Sequence, residues 1–414
     1  MTNDSNIRKS LSISNISCRV NNPDDEIFDL IDVSKKGDLY KIFVSNFLKY
    51  IPVDYRSKNK MKLFGDFTKE AFDFFTHKPH PDNCKIDIHT NECQNNPSIT
   101  ILITSENRAF IIDSLSSLMS RLSLQPAFIF HSVICSIRDK KGKLKNIVKS
   151  GEGGINESLV YIKILGTFDI TTISKIEKEI RNVIDLVNYT HDSWQILLNK
   201  VITITTNIAH NQDLYENANL PTSEALDFLN WIQKNNVTFL SAIDFDAKSK
   251  KIRSEIGVKE IWQNNLKKIA TIIDFSKSDY YANKITILGK INKLSPVHRS
   301  TLVDYILVKH LDKYGAYKSG TIIFGLYGTA IYFQSIKNIP ILCEKMNYVL
   351  DKSGFNPSDY NAKKIKNIIE SLPRDALIQI GEDDLYCMCI HMLSSMRSRK
   401  LKLFIQEEWS DSFV

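Results

Sequence analysis

The chain has 414 residues, of which 43% are apolar and 24% charged. That is the composition of an ordinary folded protein, with material for about two or three domains. Its 54 Lys and Arg against 47 Asp and Glu leave a formal charge of +7, too small and too evenly spread to form a nucleic-acid-binding stripe. No apolar run of about 18 residues offers a membrane span. The start is rich in Ser and Asn and lacks the apolar core of a signal peptide. The 7 Cys form no paired framework, which fits reduced thiols in a cytoplasm.

In chain order, residues 1–24 read as a disordered tail. Residues 25–97 read as a helical segment followed by a linker. "IFVSNFLKYI" and "FTKEAFDFF" carry apolar residues at three- and four-residue spacing, and the Pro-, Asn- and Asp-rich stretch from Lys78 to Pro97 reads as the linker. Residues 98–188 then give a compact pattern. "SITILIT" is a strand. "RAFIIDSLSSLMSRLSL" is an amphipathic helix with Phe110, Ile111, Leu115, Leu118, Met119 and Leu122 on one side. "AFIFHSVICSIRD" is a strand, "KKGKLKNIVKSGEGGINE" a loop and "SLVYIKIL" a strand. "TTISKIEKEIRNVIDLV" is a helix with Thr171 or Thr172 as its N-cap. The order is βαββα, and one more strand would complete a ferredoxin-like module.

Residues 189–236 read as a helical connector and 237–340 as a β-rich module. Its strands are "VTFLSAIDFDA", "KITILGKI", "LVDYILVKHLD" and "GTIIFGLYG", with "DKYGAYKSG" as a hairpin turn. Residues 341–400 are helical, with a Gly cap at Gly354 and a stop at Pro373. Residues 401–414 read as a strand, a turn and the start of another strand. The fold class is therefore α+β.

Several clusters invite chemistry. His77, His80, Cys84, His89 and Cys93 could supply zinc ligands, but no C-x₂-C knuckle is present, and we assign no metal. Cys387, Cys389 and His391 alternate within a predicted helix, so they point to different sides and read as core thiols. Gly151, Gly153 and Gly154 lie between two strands and lack the dinucleotide-binding spacing, so they read as a flexible loop. No P-loop, nucleophile elbow or HExxH is present, and no catalytic residue is assigned. "SPVHRSTLVDYILVK" places His298, Arg299, Asp304, Tyr305 and Lys309 together. Two readings stand: a ligand or ion-pair network, or a strand in which Arg299 pairs with Asp304 or with a neighbouring domain.

From about Asn59 onward, the chain resembles the large bacterial NAD-specific glutamate dehydrogenases. "ITILITSENRAFIIDSLSSLMSRL" is similar to the family's first ACT-like module, whose helix holds Phe110, Asp113 and Ser114. "LNWIQKNNVTFLSAIDFD" resembles a second family stretch. "SPVHRSTLVDYILVK" is the strongest match, and "FGLYGTAIY", "IPILCEKMNYVL" and "LPRDALIQIGEDDL" follow in order, the last with Arg374 and Asp375. Ser241, Ala376 and Ile378, and the "SDY" at Ser358–Tyr360, depart from the family pattern.

The resemblance implies an N-terminal assembly or regulatory portion, with the Gly-rich NAD site and the catalytic Lys and Asp falling outside these residues and a second ACT-like module beginning at 401. It implies NAD in the parent family, no cofactor held by this chain, and an oligomer. It also implies two partners: a separate catalytic half and an amino-acid effector. In ACT modules, small effectors meet backbone N–H groups at a helix start; here that place falls on Ser105, Glu106, Asn107, Arg108 and Ala109. His298–Lys309, with Arg374 and Asp375, would then serve assembly. A stand-alone ACT-like amino-acid-binding protein, or a gene remnant, is the alternative.

Overall fold

The computed structural model describes residues 37–48, 58–77, 84–91 and 97–396. The expected tail at 1–24 and the expected strands at 401–414 lie outside these residues. The chain forms two compact units. The first takes the residues up to Asn107 together with Leu124–Glu177; the second takes Arg108–Ser123 and the residues from Lys178 onward.

The first unit opens with helices α1 (Asp38–Leu48) and α2 (Lys58–Thr76). Tyr40, Phe43, Val44 and Phe47 repeat at three- and four-residue steps, as do Phe67, Ala71, Phe74 and Phe75, so each helix has one apolar stripe. These stripes pack on one face of a five-stranded sheet, against Leu102, Phe130, Ile134, Leu159 and Tyr161. The strands are β1 (Cys84–Asn91), β2 (Ser98–Glu106), β3 (Pro126–Arg138), β4 (Leu144–Ile147) and β5 (Ile155–Leu165). Their spatial order is β1-β2-β5-β3-β4, and every pairing is antiparallel. In β2 the residues from Ser98 to Ser105 are buried on both faces. Ile101 faces Ile88 on one side and Ile162 on the other. A one-residue slip would turn each side chain to the opposite face, which fixes the register.

Two expectations are corrected here. The segment read as a linker contains β1, and the loop read after β3 contains β4. Both are edge strands, and their polar residues broke the apolar signal. The strand needed to complete the ferredoxin-like order is present, but it precedes the βαββα run instead of following it. Gly151 and Gly153 sit at φ 94° and 84°, so the turn between β4 and β5 requires left-handed backbone there, and flexibility alone is not their reason.

Residues 108–123 contribute helix α3 (Ile111–Arg121) to the second unit. Helix α4 runs unbroken from Ile170 to His210, through the point where the sequence suggested a boundary at 188–189. Its cap is Asp169, not Thr171 or Thr172: one Asp169 carboxylate oxygen accepts the Thr172 N–H at 2.7 Å and the other accepts the Thr171 hydroxyl at 3.0 Å. Short helices α5 (Gln212–Asn217) and α6 (Ser223–Trp231) follow, then strands β6 (Val237–Asp246) and β7 (Ile252–Gly257), helix α7 (Leu266–Phe275), and strands β8 (Thr286–Leu294), β9 (Leu302–Leu311) and β10 (Tyr317–Tyr327). This second sheet has the order β7-β6-β10-β9-β8 and is also wholly antiparallel. The β9–β10 turn closes with the Ala316 carbonyl accepting the Asp312 N–H at 2.9 Å, as the Gly-containing turn predicts.

Helices α8 (Pro340–Ser353), α9 (Tyr360–Ser371), α10 (Arg374–Gln379) and α11 (Glu382–Met396) complete the described chain. Gly354 ends α8 at φ 65°, a left-handed cap, and α9 stops before Pro373. Val349, Ile365, Ile369, Leu385 and Cys389 join Phe228, Ile306 and Ile323 in one core. Of the two thiols read as core, only Cys389 is buried; Cys387 is exposed. Among the described residues no helix is long and apolar enough to cross a membrane.

Candidate functional site

The turn Ser105–Ala109 divides between the two units. Ser105 is buried and its hydroxyl donates to the Glu106 carbonyl. Glu106 ends β2, and the Asn107 N–H donates to the Asn156 carbonyl at 2.8 Å. Arg108 turns to α4, where its guanidinium donates to the Asn188 carbonyl at 3.0 Å and pairs with the Asp192 carboxylate. That guanidinium holds the Asp192 carboxyl below its usual range, although partial burial works the other way. Ala109 is exposed.

The next residue departs from the sequence reading. Phe110 is not on the apolar stripe of α3; it is the N-cap, at φ 73°. Its ring lies tilted against that of His298, with centroids 4.4 Å apart. His298 itself holds φ 67°. Left-handed backbone costs a residue bearing a Cβ about 1–2 kcal/mol. His298 is held on α3 through three further contacts. Its N–H donates to the Ser114 hydroxyl at 2.8 Å, its carbonyl accepts from Ser117 at 3.1 Å, and its Nδ1 lies 2.9 Å from the Asp113 carboxylate. Phe110, Asp113, Ser114 and Ser117 are spaced as one helix face. Burial lowers the His298 pKa, and Asp113 opposes that shift.

The other residues of the Ser295–Lys309 stretch separate into distinct places. Arg299 does not pair with Asp304. It donates to the Tyr327 carbonyl and lies over the Tyr332 ring, 5.7 Å away. Asp304 pairs with Lys290 of β8 and accepts the Tyr327 N–H at 3.3 Å. The backbone of Tyr327 thus joins Arg299 to Asp304. Asp375 of α10 lies 3.7 Å from the same Lys290 ammonium and accepts from the Tyr332 hydroxyl at 2.6 Å. Burial pushes the Asp304 carboxyl up to about 6, against the pull of Lys290; Asp375 pushes in the same direction. The buried Tyr327 hydroxyl has no hydrogen-bond partner among the described residues.

Tyr305 is fully buried, lying where a Cβ on Gly289 would meet its ring at 2.6 Å. Lys309 lies five residues along β9 from Asp304 and donates to the Tyr281 carbonyl at 2.6 Å; burial brings its pKa down to about 8. Arg374 spans the Glu370 side chain and the Gln334 carbonyl at 2.8 and 3.2 Å. The sequence therefore named residues that join structural elements, with Arg299, Asp304 and Asp375 converging on one cluster.

Sequence reasoning missed Lys290, Tyr327 and Tyr332 in that cluster. It also missed Lys345, a buried ammonium that donates to the carbonyls of Leu377, Ile378 and Ile380 at 2.7–3.0 Å, at the end of α10. Cations suit the negative end of a helix. A further network runs from His310 through Thr321 to Asp244 at 2.9 and 2.7 Å, with Lys200 on the same carboxylate. Of the five zinc candidates, His80 and Cys93 lie outside the described residues. His89 pairs with Glu70, and Cys84 is buried in the β1 edge strand.

Both described sheets are antiparallel. Among the described residues there is then no parallel-strand crevice in which a dinucleotide pyrophosphate would meet a helix N-terminus.

The architecture is that of an α+β protein with an ACT-type module. Residues 43–180 match the family described as "Glutamate dehydrogenase, ACT1 domain", and residues 339–398 match "Glutamate dehydrogenase, helical motif 1". The chain is similar to the NAD-specific glutamate dehydrogenase of Halomonas elongata, at 24% identity over 76% of this chain and 20% of that protein. It is similar to that of Pseudomonas aeruginosa at 24% identity over 72% of this chain and 19% of that protein. The chain thus resembles the NAD-specific glutamate dehydrogenases over most of its own length, and it spans about a fifth of the length of these two.

Proposed function

We propose that this chain is an assembly and regulatory portion of an NAD-dependent glutamate dehydrogenase system acting in the cytoplasm, and that it is not catalytic alone. The parent reaction would convert glutamate to 2-oxoglutarate and ammonia, with NAD accepting the hydride. The observation that carries the reading is the position of the two family matches. The ACT1 match covers the first sheet, and the helical-motif match covers the helices whose core includes the second sheet. The residues singled out by the sequence link secondary-structure elements, which suits an assembly role. The chain would work as an oligomer, with a catalytic polypeptide as partner and an amino acid as effector at Ser105–Ala109.

The test is NAD-dependent glutamate oxidation by this chain alone and mixed with any catalytic-half polypeptide encoded beside it. Activity in the mixture only is expected. A folded catalytic half that stays inactive in the mixture, or is equally active without this chain, overturns the reading.

A further inference from the structure

Two bulky residues hold left-handed backbone and face each other at the start of α3. Phe110 and His298 lie far apart in sequence, and their rings meet at a tilt. Strained backbone of this kind persists where surrounding contacts hold it, and it gathers at clamps and switches. The contacts that hold it here run from the surface inwards: Asp113 is 55% exposed, the His298 side chain 15%, and Ser114 is fully buried. The apolar stripe of α3, formed by Ile111, Leu115, Leu118 and Met119, is buried and makes none of them. The 295–301 loop has its own support, with the Ser295 N–H donating to Thr301 and the Thr301 N–H to Arg299, both at 2.9 Å. The loop therefore keeps a shape of its own apart from its hold on α3.

We propose that the Phe110–His298 pair is a two-state clasp on the first turn of α3. Closed, the loop holds Phe110, Asp113, Ser114 and Ser117. Open, both residues relax to ordinary backbone, and the first turn of α3 is released with Ala109, while Arg108 stays on Asn188 and Asp192 of α4. Opening lifts Ile111 with the first turn and leaves Leu115, Leu118 and Met119 in place. The clasp is a conformational device of this chain and does not depend on its taking part in glutamate oxidation.

Hydrogen exchange of the full chain at constant pH tests it. In the wild type, the amides from Phe110 to Leu115 should exchange through a common local opening, well before global unfolding. His298→Gly keeps the left-handed backbone without strain and removes the ring. It should speed exchange of these amides by about tenfold or more while leaving β9 and β10 unchanged. His298→Asn, which tolerates the same backbone and retains a polar side chain, should fall between. The proposal is overturned if the amides open only with global unfolding in the wild type. It is also overturned if a folded variant leaves them unchanged, or if β9 and β10 accelerate equally. Should the Gly variant not fold, the Asn variant decides by the same criteria.

Discussion

The two sheets share strand number and antiparallel pairing, but they are filled differently. The first is closed by rings. Phe47 lies 4.6 Å from Phe130, 5.2 Å from Phe43 and 6.0 Å from Phe67. Its one deeply buried carboxylate, Glu157, is met by Arg138 and Ser136. The second sheet mixes aliphatic side chains with Phe239, Phe245, Tyr305, Phe324 and Tyr327, and it carries buried charge: Lys290 and Asp304, with Lys309 further along β9. Phe rings do not respond to pH, whereas buried ionisable groups titrate with their surroundings; the first sheet holds His131, lowered by burial, and the second holds Asp304, Lys309 and His310.

The difference can be broken from either side. Phe47→Ala should have the largest effect, about 3–5 kcal/mol. It should appear as lost exchange protection in β2, β3 and β5, with β6, β9 and β10 keeping theirs. Equal loss in both sheets would show that they unfold as one. Lys290→Met should cost about 3 kcal/mol by leaving Asp304 buried without its cation. The double variant Lys290→Met with Asp304→Leu should recover most of that loss in a urea titration.

Acid sharpens the contrast further. Asp304 is raised to about 6 in the fold, so its contribution to stability is present at low pH and lost as pH rises through about 6. His310 is lowered to about 4 by burial, so its contribution is present above its ordinary value of 6.5 and lost as pH falls towards 4. The two oppose each other between these values, and the wild-type second unit should change little from pH 6 to 4 on their account. In Asp304→Asn the compensation is gone. Stability should then fall with acidification by up to about 1.4 kcal/mol per pH unit, seen in urea midpoints taken across that range. A flat profile in this variant would remove His310 from the account. The smallest changes are expected at single positions. Tyr327→Phe removes a buried hydroxyl without a partner and should stabilise by about 1 kcal/mol. Gly354→Ala should destabilise by about 1 kcal/mol, because φ 65° is left-handed. Thermal melts would read both.

Much of the fold was legible because apolar period and chain order agreed. Strands β6, β8, β9 and β10 of the second sheet, and β2, β3 and β5 of the first, carry enough Ile, Val, Leu and Phe to announce themselves; β7, a polar edge strand, was not read. Helices α8 to α11 were bounded by Gly354 and Pro373. β1 and β4 were hidden because an edge strand buries one side only, and its Lys, Asp, His and Asn look like loop. The continuity of α4 was hidden because no residue near 188 marks either a break or its absence. The candidate site was legible in membership but not in pairing. Asp304 was evident, but Lys290, 14 residues earlier, reads as one more surface lysine. The contact of Phe110 with His298 joins two distant stretches through backbone angles that no periodicity encodes.

The strand that closes the first sheet comes before the others in the chain, and this has a consequence for α4. In a βαββαβ order, the second helix must carry the chain back to lay down the last strand, and that return limits its length. With β1 already beside β2, no return is owed after β5. The helix that begins at Ile170 can continue for 41 residues, past the last residue of the first unit and into the second. A reordering of strands thus frees a crossover helix from its return, and its 41 residues run on as one element.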